Sequence, residues 1–128
     1  MHDHPRVLWL LRFVFGGYAG TIFALTHWPR LAFASPIQRS DLYIHFTAFG
    51  LWTTLLAATQ CFGPALSRRN LLRSGLTALI YAPIDEFSQA IPGLGRSAGL
   101  DDLAANYGGV LLAVSICFLV RRVRGVTE

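Results

Sequence analysis

The chain is short of charge. Only 14% of its 128 residues are Asp, Glu, Lys or Arg, against 53% hydrophobic, where a soluble domain carries about 25% charged residues. So few charges cannot cover a water-facing surface, and the mean hydropathy of +0.45 points the same way. Lysine is missing altogether: all eleven positive charges are Arg. They lie scattered between apolar runs, so despite a pI near 9.7 there is no continuous basic stripe of the kind that holds nucleic acid, and no nucleic-acid partner is expected. Cysteine is nearly absent. Cys61 and Cys117 sit deep in apolar sequence without zinc-type spacing, which excludes a disulfide scaffold. No internal repeat, low-complexity tract or domain linker breaks the chain, and no nucleophile motif of the G-x-S-x-G type is present. Residues 1–128 read as a single integral membrane domain.

What is present is a set of long apolar runs. A spanning helix needs about 20 mostly apolar residues at a rise of about 1.5 Å each. Four runs qualify in outline: Val7 to Trp28, Tyr43 to Phe62, Leu71 to Ile91 and Leu103 to Val120. Pro29, Pro64 and Pro92 fall where three of them end, as expected of a residue that cannot continue a helix. Arg12 interrupts the first run near its start, where the side chain can lay its stem along the helix and reach the interface. Ala32-Phe33-Ala34 resembles a signal-peptide cleavage site, but the apolar stretch is longer than a usual h-region and Trp28-Pro29-Arg30 intervenes, so the first helix is expected to be retained. Gly16 and Gly20 form a G-x-x-x-G beside Gly17, and Gly108-Gly109 lie early in the fourth run; both are expected to let helices approach closely.

Arginine asymmetry sets the expected orientation. With four spans, both termini share a side with the connection between the second and third. That side holds Arg6, Arg12, Arg68, Arg69, Arg73, Arg121, Arg122 and Arg124, eight against the three (Arg30, Arg39 and Arg96) of the other. The expectation is an all-α, four-transmembrane-helix bundle, multi-pass in the plasma or inner membrane, with both termini cytoplasmic.

This topology gathers the polar residues outside. Asp41 and His45 open the second helix, Asp85, Glu86 and Gln89 close the third, and Arg96, Asp101, Asp102 and Asn106 lie in the following loop and the start of the fourth. Asp41/His45, Asp85/Gln89 and Asp102/Asn106 are i, i+4 pairs, and Glu86/Gln89 an i, i+3 pair, each sharing a helix face. The acidic pair lies roughly 9 Å inside its helix end. A carboxylate facing lipid there is unfavourable by up to about 3 kcal/mol, so both acids are expected to face the interior, with His45 and Arg96 as the available partners. Pro83 predicts a kink just before them.

These motifs, in this order, resemble the VanZ-like membrane protein family. The resemblance spans about residues 38–115. It rests on Asp41-Leu42-Tyr43-Ile44-His45-Phe46 with Phe49-Gly50, on Asp85-Glu86-Phe87-Ser88-Gln89, and on Pro92 to Arg96 followed by Asp102-Leu103-Ala104-Ala105-Asn106-Tyr107-Gly108. Leu42 stands where the family usually has Lys, and the Pro92–Arg96 segment is two residues longer than the usual Pro-Gly-Arg. The resemblance implies a four-helix membrane protein of the cell envelope, and the family's namesake is associated with low-level resistance to the antibiotic teicoplanin, a glycopeptide.

Several roles stay open for these residues. His45 can be a general acid or base, a metal ligand, or the ion-pair partner of Asp85 or Glu86; those three are the candidates for any catalysis. Asp41 and Asp101 are well placed to be helix N-caps. Arg96, in a Gly-rich loop, can wrap an anionic group or pair with Asp102, and Gln89 and Asn106 supply hydrogen-bonding support. The expected ligand set is Asp41, His45, Asp85, Glu86, Gln89, Arg96, Asp102 and Asn106. A mononuclear metal site from His45 and two carboxylates is chemically reasonable, but paired-His spacing is lacking, and no metal or cofactor is expected. The leading expectation is a site for an anionic envelope lipid or lipid-linked precursor at the bilayer. The alternatives are a membrane-embedded acid–base enzyme acting on such a lipid, or a structural or assembly protein; oligomers are possible.

Overall fold

The computed structural model describes residues 5–29, 39–95 and 97–127. Among them are four α-helices and no strand: α1 Pro5–Thr26, α2 Ser40–Ala58, α3 Arg68–Ser88 and α4 Leu100–Val123. Each matches one of the apolar runs. Pro29, Pro64 and Pro92 all stand outside the helices, whereas Pro83 sits inside α3 without ending it. The Ala32-Phe33-Ala34 segment and the N-terminal His2 and His4 lie outside the described residues.

Two helices, α1 and α4, are long and apolar enough to cross a membrane, with mean hydropathies of 1.5 and 2.0 in their best windows. The other two fall short of that measure, and in α3 burial explains where the polar groups go. In α3, Asn70, Ser74, Ala78, Ala82 and Glu86 recur every fourth residue and are all buried, while Leu72, Leu76, Ile80, Ile84 and Phe87 are exposed on the other side. The helix is inside-out relative to a water-soluble amphipathic helix, which buries its apolar stripe.

The core is small and centres on α2, whose Phe49, Trp52 and Leu56 pack against Ala78 and Ala82 of α3 and Val110 of α4. The Trp52 and Tyr81 rings stack at 5.3 Å, and Phe15 of α1 meets Trp52 edge-on at 5.1 Å. The closest helix pair is α2 and α4. A Cβ added at Gly109 would run into the Phe46 carbonyl oxygen and lie 3.0 Å from the Gly50 nitrogen, and one added at Gly50 would lie 3.2 Å from the Gly109 oxygen. Glycine is required at this crossing because backbone meets backbone. The expectation of close packing therefore holds at Gly109 but not at Gly16, Gly17 and Gly20, which have nothing within 4 Å of an added Cβ. No residue of α1 is buried, and its glycines lie on a face that no other helix among the described residues covers.

The connections fix which ends meet. At one end, Arg12 of α1 donates to the Thr59 carbonyl beyond α2 (3.3 Å) while its guanidinium lies over the Trp9 ring, and Arg121 of α4 donates to the Leu66 carbonyl (2.8 Å). The α2–α3 turn is held by Asn70. Its fully buried amide donates to the Ala57 (2.7 Å) and Ala65 (3.0 Å) carbonyls and accepts from the Phe62 N–H (3.3 Å), while Ser67 caps α3 through the Asn70 N–H. The opposite end brings together the finish of α1, the start of α2, the finish of α3 and the start of α4.

Candidate functional site

Consecutive residues on a helix point about 100° apart, so Asp85 and Glu86 cannot serve one pocket equally. The structure divides them. Glu86 turns toward α2 and α4, where a carboxylate oxygen, a His45 ring nitrogen and an Asp102 carboxylate oxygen lie within 4.8 Å of one another. Glu86 is 1% exposed. Its Oε1 accepts the Gly99 N–H at 2.7 Å, and its Oε2 is buried without a hydrogen-bond partner among the described residues. His45 Nδ1 is 3.1 Å from Asn106 Oδ1, its Nε2 is 3.9 Å from Asp102 Oδ2, and the buried Asn106 Nδ2 is also unpartnered.

The local chain course explains this group. Gly99 is the N-cap of α4, with extended backbone, so its N–H is free to point back at α3. Asp102 sits three residues on, its Oδ2 only 2.7 Å from where a Gly99 Cβ would be. Asn106 follows one turn later, so the i, i+4 pair Asp102/Asn106 presents both side chains to His45. Both acids of the first turn, Asp101 and Asp102, also complement the helix dipole.

Asp85 faces another way and makes a separate network. It accepts from Tyr81 Oη (3.2 Å), Gln89 Nε2 (3.1 Å) and Thr26 Oγ1 (3.4 Å). The neighbouring Ser88 Oγ donates to the Asp85 carbonyl (2.8 Å) and lies 2.7 Å from His27 Nε2. The His27 ring stacks on Phe23 at 4.0 Å, with Nδ1 2.9 Å from the Phe23 carbonyl. This network fastens the end of α1 to the end of α3. The alternative pairing of His45 with Asp85 is thereby corrected: the acid beside His45 is Glu86, while Gln89 joins Asp85 rather than Glu86 despite its i, i+3 relation to the latter.

Asp41 is exposed in the first turn of α2 and lines, with Thr26 and His45, a partly open cleft of about 160 Å³ between α1 and α2. Its other walls are Ile22, Leu25, Ile44, Ala48 and Phe49. Neither Asp41 nor Asp101 is an N-cap. The caps are Arg39, in the left-handed region at φ 54°, and Gly99, because each helix begins one residue before the acid. Asp101 instead pairs with Arg39 at 2.8 Å on the exposed surface, and that carboxylate holds the Arg39 guanidinium above its ordinary pKa. Arg96 lies outside the described residues. Thr26, His27, Tyr81, Ser88 and Gly99 were not anticipated. Tyr81 was findable from its i, i+4 spacing to Asp85, and His27 from its place at the same end of the first apolar run.

Fold and site together define an all-helical chain with two apolar, membrane-length helices and a buried imidazole–carboxylate–amide cluster at one end of the bundle. No family model, no curated protein and no solved structure matches this chain.

Proposed function

We propose that the chain is a VanZ-like, multi-pass protein of the plasma or inner membrane, a four-span bundle with both termini cytoplasmic, whose outer end binds an anionic envelope lipid or lipid-linked precursor. Support for spanning by α3 comes from its inside-out face, and for α2 from the apolar residues it leaves exposed. Mean hydropathy counts buried polar residues against a helix, whereas lipid contacts only its outside. That outside is Leu72, Leu76, Ile80, Ile84 and Phe87 on α3, and Tyr43, Ile44, Phe46 and Leu51 on α2. Contiguous exposed apolar surface on this scale marks a membrane-facing protein.

The observation that carries the ligand reading is the cleft between α1 and α2. Its apolar walls end in Asp41, Thr26 and His45, the arrangement that an amphiphile with one acyl chain and a polar head requires. Arg96 is the expected source of positive charge for the headgroup. The test is lipid carried through purification in mild detergent and identified by mass spectrometry. Anionic lipid should accompany the wild type and fall severalfold in Arg96→Ala and His45→Ala; equal lipid in all three would refute the reading. An acid–base enzyme is the second reading, and the observation favouring it is the approach of Glu86 to His45. Glu86→Gln would then abolish turnover of the bound lipid while leaving its retention unchanged.

A further inference from the structure

We infer that His45, Glu86 and Asp102 form a binding site for one divalent first-row transition-metal ion, of the zinc or manganese class, with Asn106 orienting the imidazole.

The geometry between His45 and Asp102 argues for it first. Their facing atoms, Nε2 and Oδ2, are 3.9 Å apart, which is too far for a hydrogen bond. Two donors bound to one ion at about 2.1 Å each stand roughly 3.4 Å apart in tetrahedral geometry and about 4.2 Å apart on opposite sides. The observed separation falls between those values. The Glu86 oxygen completes a triangle whose edges are all within 4.8 Å, so side-chain rotations of well under 1 Å per ligand close it on an ion.

The hydrogen bonds argue for it a second time. Asn106 Oδ1 is an acceptor, so its 3.1 Å contact with His45 Nδ1 places the ring proton there. Nε2 is the ring nitrogen that faces the Asp102 carboxylate, so an ion held between the two would be bound through Nε2. An imidazole whose far N–H is fixed by an amide or carboxylate oxygen is the usual outer-shell arrangement of a metal-binding histidine. Independently, Glu86 Oε2 is buried and unpartnered in a side chain only 1% exposed. A buried carboxylate oxygen with nothing to accept from is costly, and an ion beside it removes that cost.

Charge and donor type then select the ion. Two carboxylates and a neutral imidazole carry −2, which a divalent cation balances. The set contains nitrogen and oxygen but no sulfur, which favours zinc, manganese or ferrous iron over cuprous copper, and the imidazole disfavours magnesium and calcium. Three protein ligands leave coordination positions open, as in sites that bind a substrate or water rather than closed structural sites. A phosphate oxygen fits such a position. The metal site does not depend on the lipid reading and is measured without lipid.

The experiment is equilibrium dialysis of the detergent-purified, chelator-stripped full chain against Zn²⁺ or Mn²⁺ alone. One ion per chain is expected for the wild type. A loss of tenfold or more in affinity is expected for His45→Ala, Glu86→Gln and Asp102→Asn, and no change for Asp101→Asn, whose carboxylate is on Arg39 instead. A His2→Ala/His4→Ala double variant must retain the ion; losing it there would place binding at the N-terminus and overturn the inference. No saturable binding, or equal affinity in wild type and Glu86→Gln, would overturn it as well. Should the variants fail to fold, X-ray absorption of the zinc-loaded wild type decides. A mixed shell with a single imidazole supports the site, and an oxygen-only or two-imidazole shell refutes it.

Discussion

Gly109→Ala tests the link between packing and site most directly. The added methyl meets the Phe46 carbonyl and lies 3.0 Å from the Gly50 nitrogen, both backbone atoms of α2. Neither can rotate away, so α2 and α4 must separate. Overpacking of this kind costs about 1–3 kcal/mol, and the better helix propensity of Ala returns roughly 0.5–1 kcal/mol. The net expectation is a loss of about 1–2 kcal/mol. Gly20→Ala, with nothing within 4 Å, keeps only the propensity gain of about 0.5–1 kcal/mol. For a chain of this size the two variants should differ in Tm by roughly 6–10 °C, Gly109→Ala lower and Gly20→Ala higher than wild type. Thermal unfolding in detergent, followed by circular dichroism and by tryptophan fluorescence, reads both. A second consequence follows from position. Gly109 lies one turn beyond Asn106, and its obstacle, Phe46, is next to His45, so forcing the helices apart stretches the 3.1 Å His45–Asn106 contact. Gly109→Ala should therefore weaken ligand retention beyond what its stability loss explains. Equal Tm shifts of the same sign in the two variants would refute the assignment of the α2–α4 crossing.

Asn70→Ala should cost about 2–4 kcal/mol, because it strands the Ala57 and Ala65 carbonyls and the Phe62 N–H inside the α2–α3 turn; thermal unfolding measures it, and a loss under about 0.5 kcal/mol would contradict the turn's construction. Tyr81→Phe removes one donor to Asp85 and should cost about 1 kcal/mol, with hydrogen exchange rising at the end of α1 more than in α4; uniform exchange would contradict an Asp85 network that fastens α1. In metal-free protein, Glu86→Gln should match or exceed wild-type stability by roughly 0.5–2 kcal/mol, as functional sites often do when their unfavourable group is removed. A clear drop in Tm would make Glu86 a structural knot instead. A C-terminal green fluorescent protein fusion should fluoresce and a C-terminal alkaline phosphatase fusion should be inactive, and the reverse pattern would invert the proposed orientation.

Much of the fold is legible in the residues because the bilayer-length apolar runs and the three prolines that follow helices are local signals. Helix contacts are less so. A G-x-x-x-G pattern marks a surface on which a helix can be approached, and whether anything approaches depends on where α1 sits. Here α1 touches the bundle through Phe15, Tyr18 and the Thr26–His27 end, leaving Gly16 and Gly20 outside. The glycine that matters, Gly109, meets Gly50, whose i+4 neighbour is Thr54 and not a second glycine. The helix caps were misplaced by two residues for a related reason. Asp at a helix start suits the cap and the first turn alike, and only the chain path shows that Gly99 must bare its N–H to Glu86.

At the candidate site the spacing brought the residues together and left their pairing open. Convergence of His45, Glu86, Asp102 and Asn106 followed from an antiparallel helix order and i, i+4 spacing alone. What spacing cannot give is the azimuth of one helix about its axis. Asp85 and Glu86 are adjacent in sequence, yet the turn between them sends one toward Thr26 and the other toward His45. A single polar pocket thus becomes two groups with different properties. In one, Asp85 accepts from three side-chain donors and is a satisfied fastening. In the other, Glu86 Oε2 and Asn106 Nδ2 are buried without partners beside an imidazole. The absence of paired-His spacing argued against a metal only so long as ligands were sought within one segment. With one donor each from α2, α3 and α4, no sequence interval can report the proposed site, and the buried unsatisfied atoms are what point to it.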